Sequence, residues 1–119
     1  MTLNEAIKES LISNEQEIIY VASDGNKLIG FCCGQIMKSM CYPGKYGEIT
    51  ELYVMDEYRR QGIGRQLLEE TENELNNRGV NHLHILTGDK NVVAQALYTS
   101  NGYFKTSEIL FDKNIIKTN

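Results

Sequence analysis

A chain of 119 residues, 41% hydrophobic and 24% charged, has room for one compact domain, residues 1–119, and lies outside the composition range of disordered chains. A net charge of −4 and a pI near 5.2 argue against a nucleic-acid binder, whose basic face must neutralise many phosphates. No apolar run approaches the roughly 18 residues that span a bilayer, and a mixed, acidic start predicts neither a signal peptide nor a membrane anchor.

Thr2 and Glu5 have the form of a capping box, and Leu3, Ile7 and Leu11 follow at helical spacing, so a short helix is expected to end near residues 13–14. Residues 17–22 and 28–37 are β-branched, aromatic and aliphatic around Ser23, Asp24, Gly25 and Asn26, which reads as a hairpin. A loop over residues 40–44, holding the lone proline Pro43, leads to a third strand over 48–54. Ile63, Leu67, Thr71 and Leu75 then fall on one helical face, with Arg78 and Gly79 as its end. Residues 82–86 read as a strand, 91–100 as a second amphipathic helix stopped by Asn101 and Gly102, and 103–116 as one or two closing strands. A long helix between the third and fourth strands predicts a parallel pair, so the fold class is α/β (α+β) with a mixed, mostly antiparallel sheet. Cys32, Cys33 and Cys41 form neither an even disulfide framework nor a CxxC pair, which points to a reducing, cytoplasmic setting.

Arg59, Arg60, Gln61, Gly62, Ile63 and Gly64 join the third strand to its helix. The first amides of a helix have no internal acceptor, and two glycines remove side chains where a phosphate would approach the backbone, with Arg59, Arg60 and Arg65 adding attraction. On these residues alone, a helix start with flexible glycines and solvated arginines is an equally good reading. A Rossmann fingerprint needs glycine or alanine where Leu67 stands, and no Gly-Lys-Ser/Thr is present for a Walker A loop.

Glu51-Leu52-Tyr53-Val54, then Tyr58 to Leu68 with Arg59, Gly62 and Gly64 in an R/Q-x-x-G-x-G/A pattern, then Asn91, Ala94, Leu97-Tyr98 and Asn101-Gly102-Tyr103-Phe104 together resemble the GNAT family of acetyl-CoA-dependent N-acetyltransferases. Tyr103 stands where the family's second pattern has phenylalanine. The resemblance implies a central parallel strand pair splayed for acetyl-CoA, with helices on both faces of the sheet. It implies that amides of Gln61, Gly62, Ile63, Gly64 and Arg65 hold the cofactor's pyrophosphate, and that its pantetheine arm adds like a strand along Leu52, Tyr53 and Val54. A backbone N–H near Leu52 or Tyr53 would stabilise the carbonyl oxygen as it gains charge.

Relatives place at Tyr98 a tyrosine that protonates the departing thiolate. Asn91, Ala94 and Tyr98 would share one helical stripe, with Ala94 admitting the cofactor while Asn91 and Tyr98 reach it. An alkyl ammonium near pKa 10 must lose a proton before attack, and Glu51 or Glu48 on the third strand can take it. Their odd spacing puts them on opposite faces of a regular strand, so Glu51 is preferred, although a bulge would reopen the choice. His82 and His84 share a strand face, but no Cys or carboxylate set completes a tetrahedron, and no metal is expected. Nothing pairs Cys32 or Cys33 with a base, so direct transfer from acetyl-CoA to a primary amine in a ternary complex is expected. The acidic chain favours a cationic small molecule over a protein tail, with aminoglycoside, polyamine and peptide amines all open. Relatives commonly begin with an additional strand and helix, so this N-terminally shortened chain is either completed by a second subunit, as a homodimer, or has an open acceptor cleft. The alternative is a non-catalytic acyl-CoA-binding or partner-binding module of the same fold.

Overall fold

The computed structural model describes residues 16–38 and 44–116. The N-terminal helix expected before residue 15 and most of the 40–44 loop lie outside the described residues. The chain forms two compact units that divide after Gly88.

The first unit holds four strands, β1 (Glu17–Asp24), β2 (Lys27–Lys38), β3 (Lys45–Val54) and β4 (Val80–Ile85), and the helix α1 (Ile63–Asn77). They form one sheet in the order β1-β2-β3-β4, with the first two pairings antiparallel and β3–β4 parallel. Gly25, at φ +62°, takes the first central position of the two-residue β1–β2 turn that Asp24 and Lys27 close. Among the described residues β3 and β4, the parallel pair, come last in this order.

One face of this sheet packs on α1. Ile18, Cys32, Ile36 and Ile49 on the strands are buried, as are Leu67, Leu68, Thr71 and Leu75 on the helix. The predicted apolar stripe is therefore the packed one, joined by Leu68. A Cβ on Gly34 would stand 2.9 Å from Thr71 Cγ2 and 3.1 Å from Leu75 Cδ1, so the absent side chain is what lets helix and sheet approach. Thr71 is the buried polar residue there, and its hydroxyl donates to Leu67 O at 2.9 Å, so no buried side-chain polar atom among the described residues lacks a partner. α1 ends at Arg78, whose Nε donates to Glu74 Oε2 (3.0 Å), and at Gly79 with φ +96°.

The second unit holds helix α2 (Val92–Ser100), which ends at Asn101 with Gly102 at φ +92°. The closing strands expected over 103–116 are not seen among the described residues. A strand exists only through pairing, and residues 104–116 make no backbone-to-backbone hydrogen bond with the described residues.

Candidate functional site

β4 follows β3 only as far as the pair Ile49–Ile85, whereas β3 continues to Val54. The last five residues of β3 therefore present an edge with no strand beside it among the described residues. Its polarity can be read from two contacts on the opposite side. Met55 N–H donates to Ile29 O (2.8 Å), and Tyr53 O lies 2.8 Å from where a Cβ on Gly30 would stand. Both point toward β2, so strand alternation turns the main-chain groups of Leu52 and Val54 to the open edge. Val54 O is taken by Arg59 Nε at 2.9 Å. The Leu52 N–H, Leu52 C=O and Val54 N–H remain for a ligand. Tyr53, expected alongside them, directs its main chain to β2 and its ring toward Phe31, with centroids 5.8 Å apart.

The segment after β3 is pinned at several points. A 3₁₀ turn covers Asp56–Tyr58. The Tyr58 hydroxyl donates to Asp24 Oδ2 at 2.7 Å, and Arg59 adds an ion pair to Asp56 at 2.8 Å. The Arg59 guanidinium thus helps to hold the loop to the end of β3. Arg65 likewise pairs with Glu69 at 3.3 Å along the helix. Arg60 makes no ion pair with the described residues and has φ +64°, the one non-glycine with positive φ among them. Gly62 follows at φ +82° as the N-cap of α1, and no side chain caps it. Two left-handed residues flanking Gln61 curl the main chain in the manner of anion-binding concavities, and the strain at Arg60 is of the kind that collects at functional sites. A Cβ on Gly62 would meet nothing within 4 Å. The first helical bond runs from Gln66 N to Gly62 O (3.0 Å), so the earlier amides, those of Ile63, Gly64 and Arg65, point out of the helix start unpaired. A residue set with bare donors, an open glycine and a helix dipole fits a diphosphate.

The two glutamates share a face. The β2–β3 register shifts between Cys33 and Gly34, pairing Glu51 with Cys33 but Ile49 with Gly34, so Thr50 is an extra, bulged residue. Its hydroxyl donates to Cys33 O at 3.3 Å. Glu48 pairs with Gln35 and Glu51 with Cys33, two residues apart on β2, and the opposite-face expectation for a regular strand is overturned by that one inserted residue. Glu48 also sits across from His84 of β4 in the parallel register. Burial and the neighbouring Glu51 carboxylate, which accepts the S–H, push the Cys33 thiol up to about 12. Burial likewise pushes Cys32 up to about 11. Both are proton-bearing and unsuited to nucleophilic attack at neutral pH. His82 and His84 meet edge to face at 4.9 Å, with Tyr46 against His84 at 5.7 Å. Among the described residues no group of three or more His, Cys, Asp or Glu is arranged for a metal ion, and no helix is long and apolar enough to cross a membrane.

Asn91, Ala94 and Tyr98 belong to the second unit. Asn91 is the N-cap of α2, its Oδ1 accepting from Ala94 N at 3.1 Å, so it stands before the helix and not on a helical stripe with the other two. The Tyr98 ring lies 6.1 Å from that of Tyr103, and Tyr98 O accepts from Tyr103 N at 3.1 Å. Reading the residues did not anticipate Thr50 as the residue that gathers the glutamates, nor Tyr46 beside the histidines. A bulge leaves no compositional mark on a strand, and only pairing reveals it.

A model of the Acetyltransferase (GNAT) family matches residues 2–103. An uncharacterised N-acetyltransferase of Chlorobaculum tepidum is 37% identical over 79 residues, 66% of this chain and 47% of that protein. N-acetyltransferase 8 of Homo sapiens is 28% identical over 105 residues, 88% of this chain and 46% of that protein. The chain therefore spans about half the length of these curated relatives. Among solved structures, the aminoglycoside N-acetyltransferase AAC(6')-Iy in complex with CoA superposes with a TM-score of 0.80 at 18% identity, over 96% of this chain and 89% of that one. The aminoglycoside acetyltransferase meta-AAC0020 from an uncultured soil metagenomic sample, in complex with sisomicin, gives 0.77 at 19% identity over 97% and 84%. Identities this low establish likeness of fold.

Proposed function

The chain belongs to the GNAT acetyltransferase family, and from that premise we propose that residues 1–119 form one domain transferring an acetyl group from acetyl-CoA to a primary amine by direct attack in a ternary complex. The observation that carries this reading is the conjunction of an unpaired β3 edge with an uncapped, glycine-opened helix start a few residues downstream. A strand edge can pair with the amides of a pantetheine arm, and a bare helix N-terminus can hold its diphosphate. The CoA complex of a structure sharing this fold supports the same ligand.

Acetyl-CoA, when bound, supplies the activated thioester. The amides of Ile63, Gly64 and Arg65 hold its diphosphate, with Arg60, which makes no ion pair with the described residues, nearby. Leu52 and Val54 orient the arm through their main chain. The Leu52 N–H, facing the open edge, is the donor for the carbonyl oxygen, in place of Tyr53. Glu51 takes the ammonium proton, with Glu48 on the same face as the second carboxylate. Tyr98 donates a proton to the leaving sulfur. Proton transfer from a phenol near pKa 10 to a thiolate whose thiol has a pKa near 8.5 is mildly uphill in water, so it requires proximity and exclusion of solvent. Cys32 and Cys33 retain their protons and take no part, and free cysteines of this kind suit a reducing compartment such as the cytoplasm. Two carboxylates on one face favour a cationic amine, and the sisomicin complex of a fold relative makes aminoglycosides the first acceptors to try beside polyamines and amino-terminal peptides.

Thiol release from acetyl-CoA, followed with sisomicin, spermidine and an amino-terminal peptide, tests the reading. Acceptor-dependent release is expected for at least one of them. Binding of acetyl-CoA without release for any amine would replace the enzyme with an acyl-CoA-binding module.

A further inference from the structure

On β2, Cys32 and Cys33 point to opposite faces of the sheet, as neighbours on a strand must. Cys32 is buried against α1, where its thiol meets Thr71. Cys33 therefore faces away from α1, half-buried, on the side that carries Glu51 and Glu48. The bulge brings two β3 residues, Thr50 and Glu51, against this single cysteine. Thr50 Oγ1 donates to Cys33 O at 3.3 Å, and the Glu51 carboxylate accepts the Cys33 S–H. Side chains directly opposite on paired strands have Cβ atoms about 4.5–5.5 Å apart, a separation that a thiol and a carboxylate span without moving their strands. Glu51 is otherwise exposed and makes no ion pair with the described residues. A glutamate so placed has several rotamers open to it, whereas a base must be held close to its working geometry.

We propose that Cys33 is a positioning residue for acetyl transfer, a role that rests on Glu51 being the base: its S–H grips one oxygen of the Glu51 carboxylate and leaves the other turned to the acceptor's ammonium. Cys33 takes no part in the transfer itself. The ammonium proton passes to Glu51, the freed amine forms the new N–C bond as the C–S bond of acetyl-CoA breaks, and the Cys33 hydrogen stays on sulfur throughout. The surroundings of the thiol fit that division. Glu51 from β3 and Glu17 from β1 both place negative charge beside it, so a thiolate is opposed and a hydrogen-bond donor is what remains. Toward β1 the residue paired with Cys33 is the apolar Ile19, which offers no competing acceptor side chain. A serine would supply the same kind of donor on a shorter bond, and an alanine would supply none.

Steady-state kinetics with whichever of sisomicin, spermidine and the amino-terminal peptide drives thiol release, beside calorimetric titration of coenzyme A, reads the role. Cys33→Ala should lower kcat by about tenfold, within the cost of a misplaced group, with coenzyme A affinity unchanged, and Cys33→Ser should recover most of the loss. Full turnover in Cys33→Ala while Glu51→Gln is inactive would overturn the inference and leave Glu51 as the base. Full turnover in Glu51→Gln, or no release with any acceptor, would remove base and positioning residue together. Equal losses in the alanine and serine variants, or a loss shared by coenzyme A affinity, would reduce the cysteine to packing and overturn the inference. The contact itself is read without any acceptor by iodoacetamide labelling at one alkaline pH, followed at Cys33 by fragmentation of the labelled peptide. Glu51→Gln removes the charge beside the thiol and should speed labelling several-fold, whereas Glu48→Gln should not. Should a Cys33 variant fail to fold, that rate decides: an unchanged rate in Glu51→Gln overturns the inference.

Discussion

Gly62→Ala isolates the helix start from the rest of the molecule. Gly62 has φ +82° and open space where a Cβ would go, so the substitution introduces no clash in the free protein. It introduces backbone strain of about 1–2 kcal/mol, the penalty of an L residue in the left-handed region, which lowers the melting temperature of a domain this size by several degrees, on the order of 4–8 °C per kcal/mol. The same strain is expected from Gly25→Ala in the β1–β2 turn, where φ is +62° and the space is equally open. The two variants differ in what the new methyl group faces. At Gly62 it occupies the cradle that the diphosphate must enter and tilts the amides behind it, so acetyl-CoA affinity should fall by tenfold or more, a loss of about 1.4 kcal/mol or greater. At Gly25 affinity should be unchanged. Isothermal titration of both variants with coenzyme A, beside thermal melts, makes the comparison. Unaltered affinity in Gly62→Ala, or an equal loss in Gly25→Ala, would refute the assignment of the anion site.

Glu51→Gln should reduce kcat/KM by about 10²–10⁴, the worth of a general base, with coenzyme A affinity retained. Glu48→Gln should reduce it by much less, and the reverse order in steady-state kinetics would transfer the base to Glu48. Tyr98→Phe should depress kcat far more than acetyl-CoA affinity, and equal losses would remove Tyr98 from the acid role. The fully buried Cys32 thiol has an ordinary pKa of 9.0 when unfolded and is held up to about 11 in the fold. The folded state thus keeps a proton that the unfolded chain loses first, so this contribution is intact below pH 9 and is lost as pH climbs from 9 toward 11. About two units correspond to roughly 2–3 kcal/mol. Urea unfolding should show that decline, and Cys32→Ala should flatten it; matching slopes in the two proteins would contradict the assignment.

Much of this was legible in the residues because local chemistry and packing agree. Ile63, Leu67, Thr71 and Leu75 at helical spacing are the face that packs, and Gly79 ends the helix as its positive φ requires. Gly62 marked the helix start for the same reason, its φ of +82° being one that side-chain-bearing residues rarely adopt. Features set by pairing stayed hidden. The bulge at Thr50 depends on which β2 residue each β3 residue meets, and no side-chain pattern encodes it. The apolar residues after Gly102 promised strands, but strand propensity becomes a strand only beside a partner, and residues 104–116 pair with none in the described chain. Arg59 fits the anion motif by identity, yet its guanidinium spans Val54 O and Asp56, a contact decided by the 3₁₀ turn between them.

The most direct test is an amide-resolved NMR titration with coenzyme A. The N–H signals of Leu52 and Val54 at the β3 edge and of Ile63, Gly64 and Arg65 at the start of α1 should shift together along one binding isotherm, while that of Tyr53, turned toward β2, moves least. Shifts confined to other residues, or an edge and a helix start that respond independently, would contradict the account.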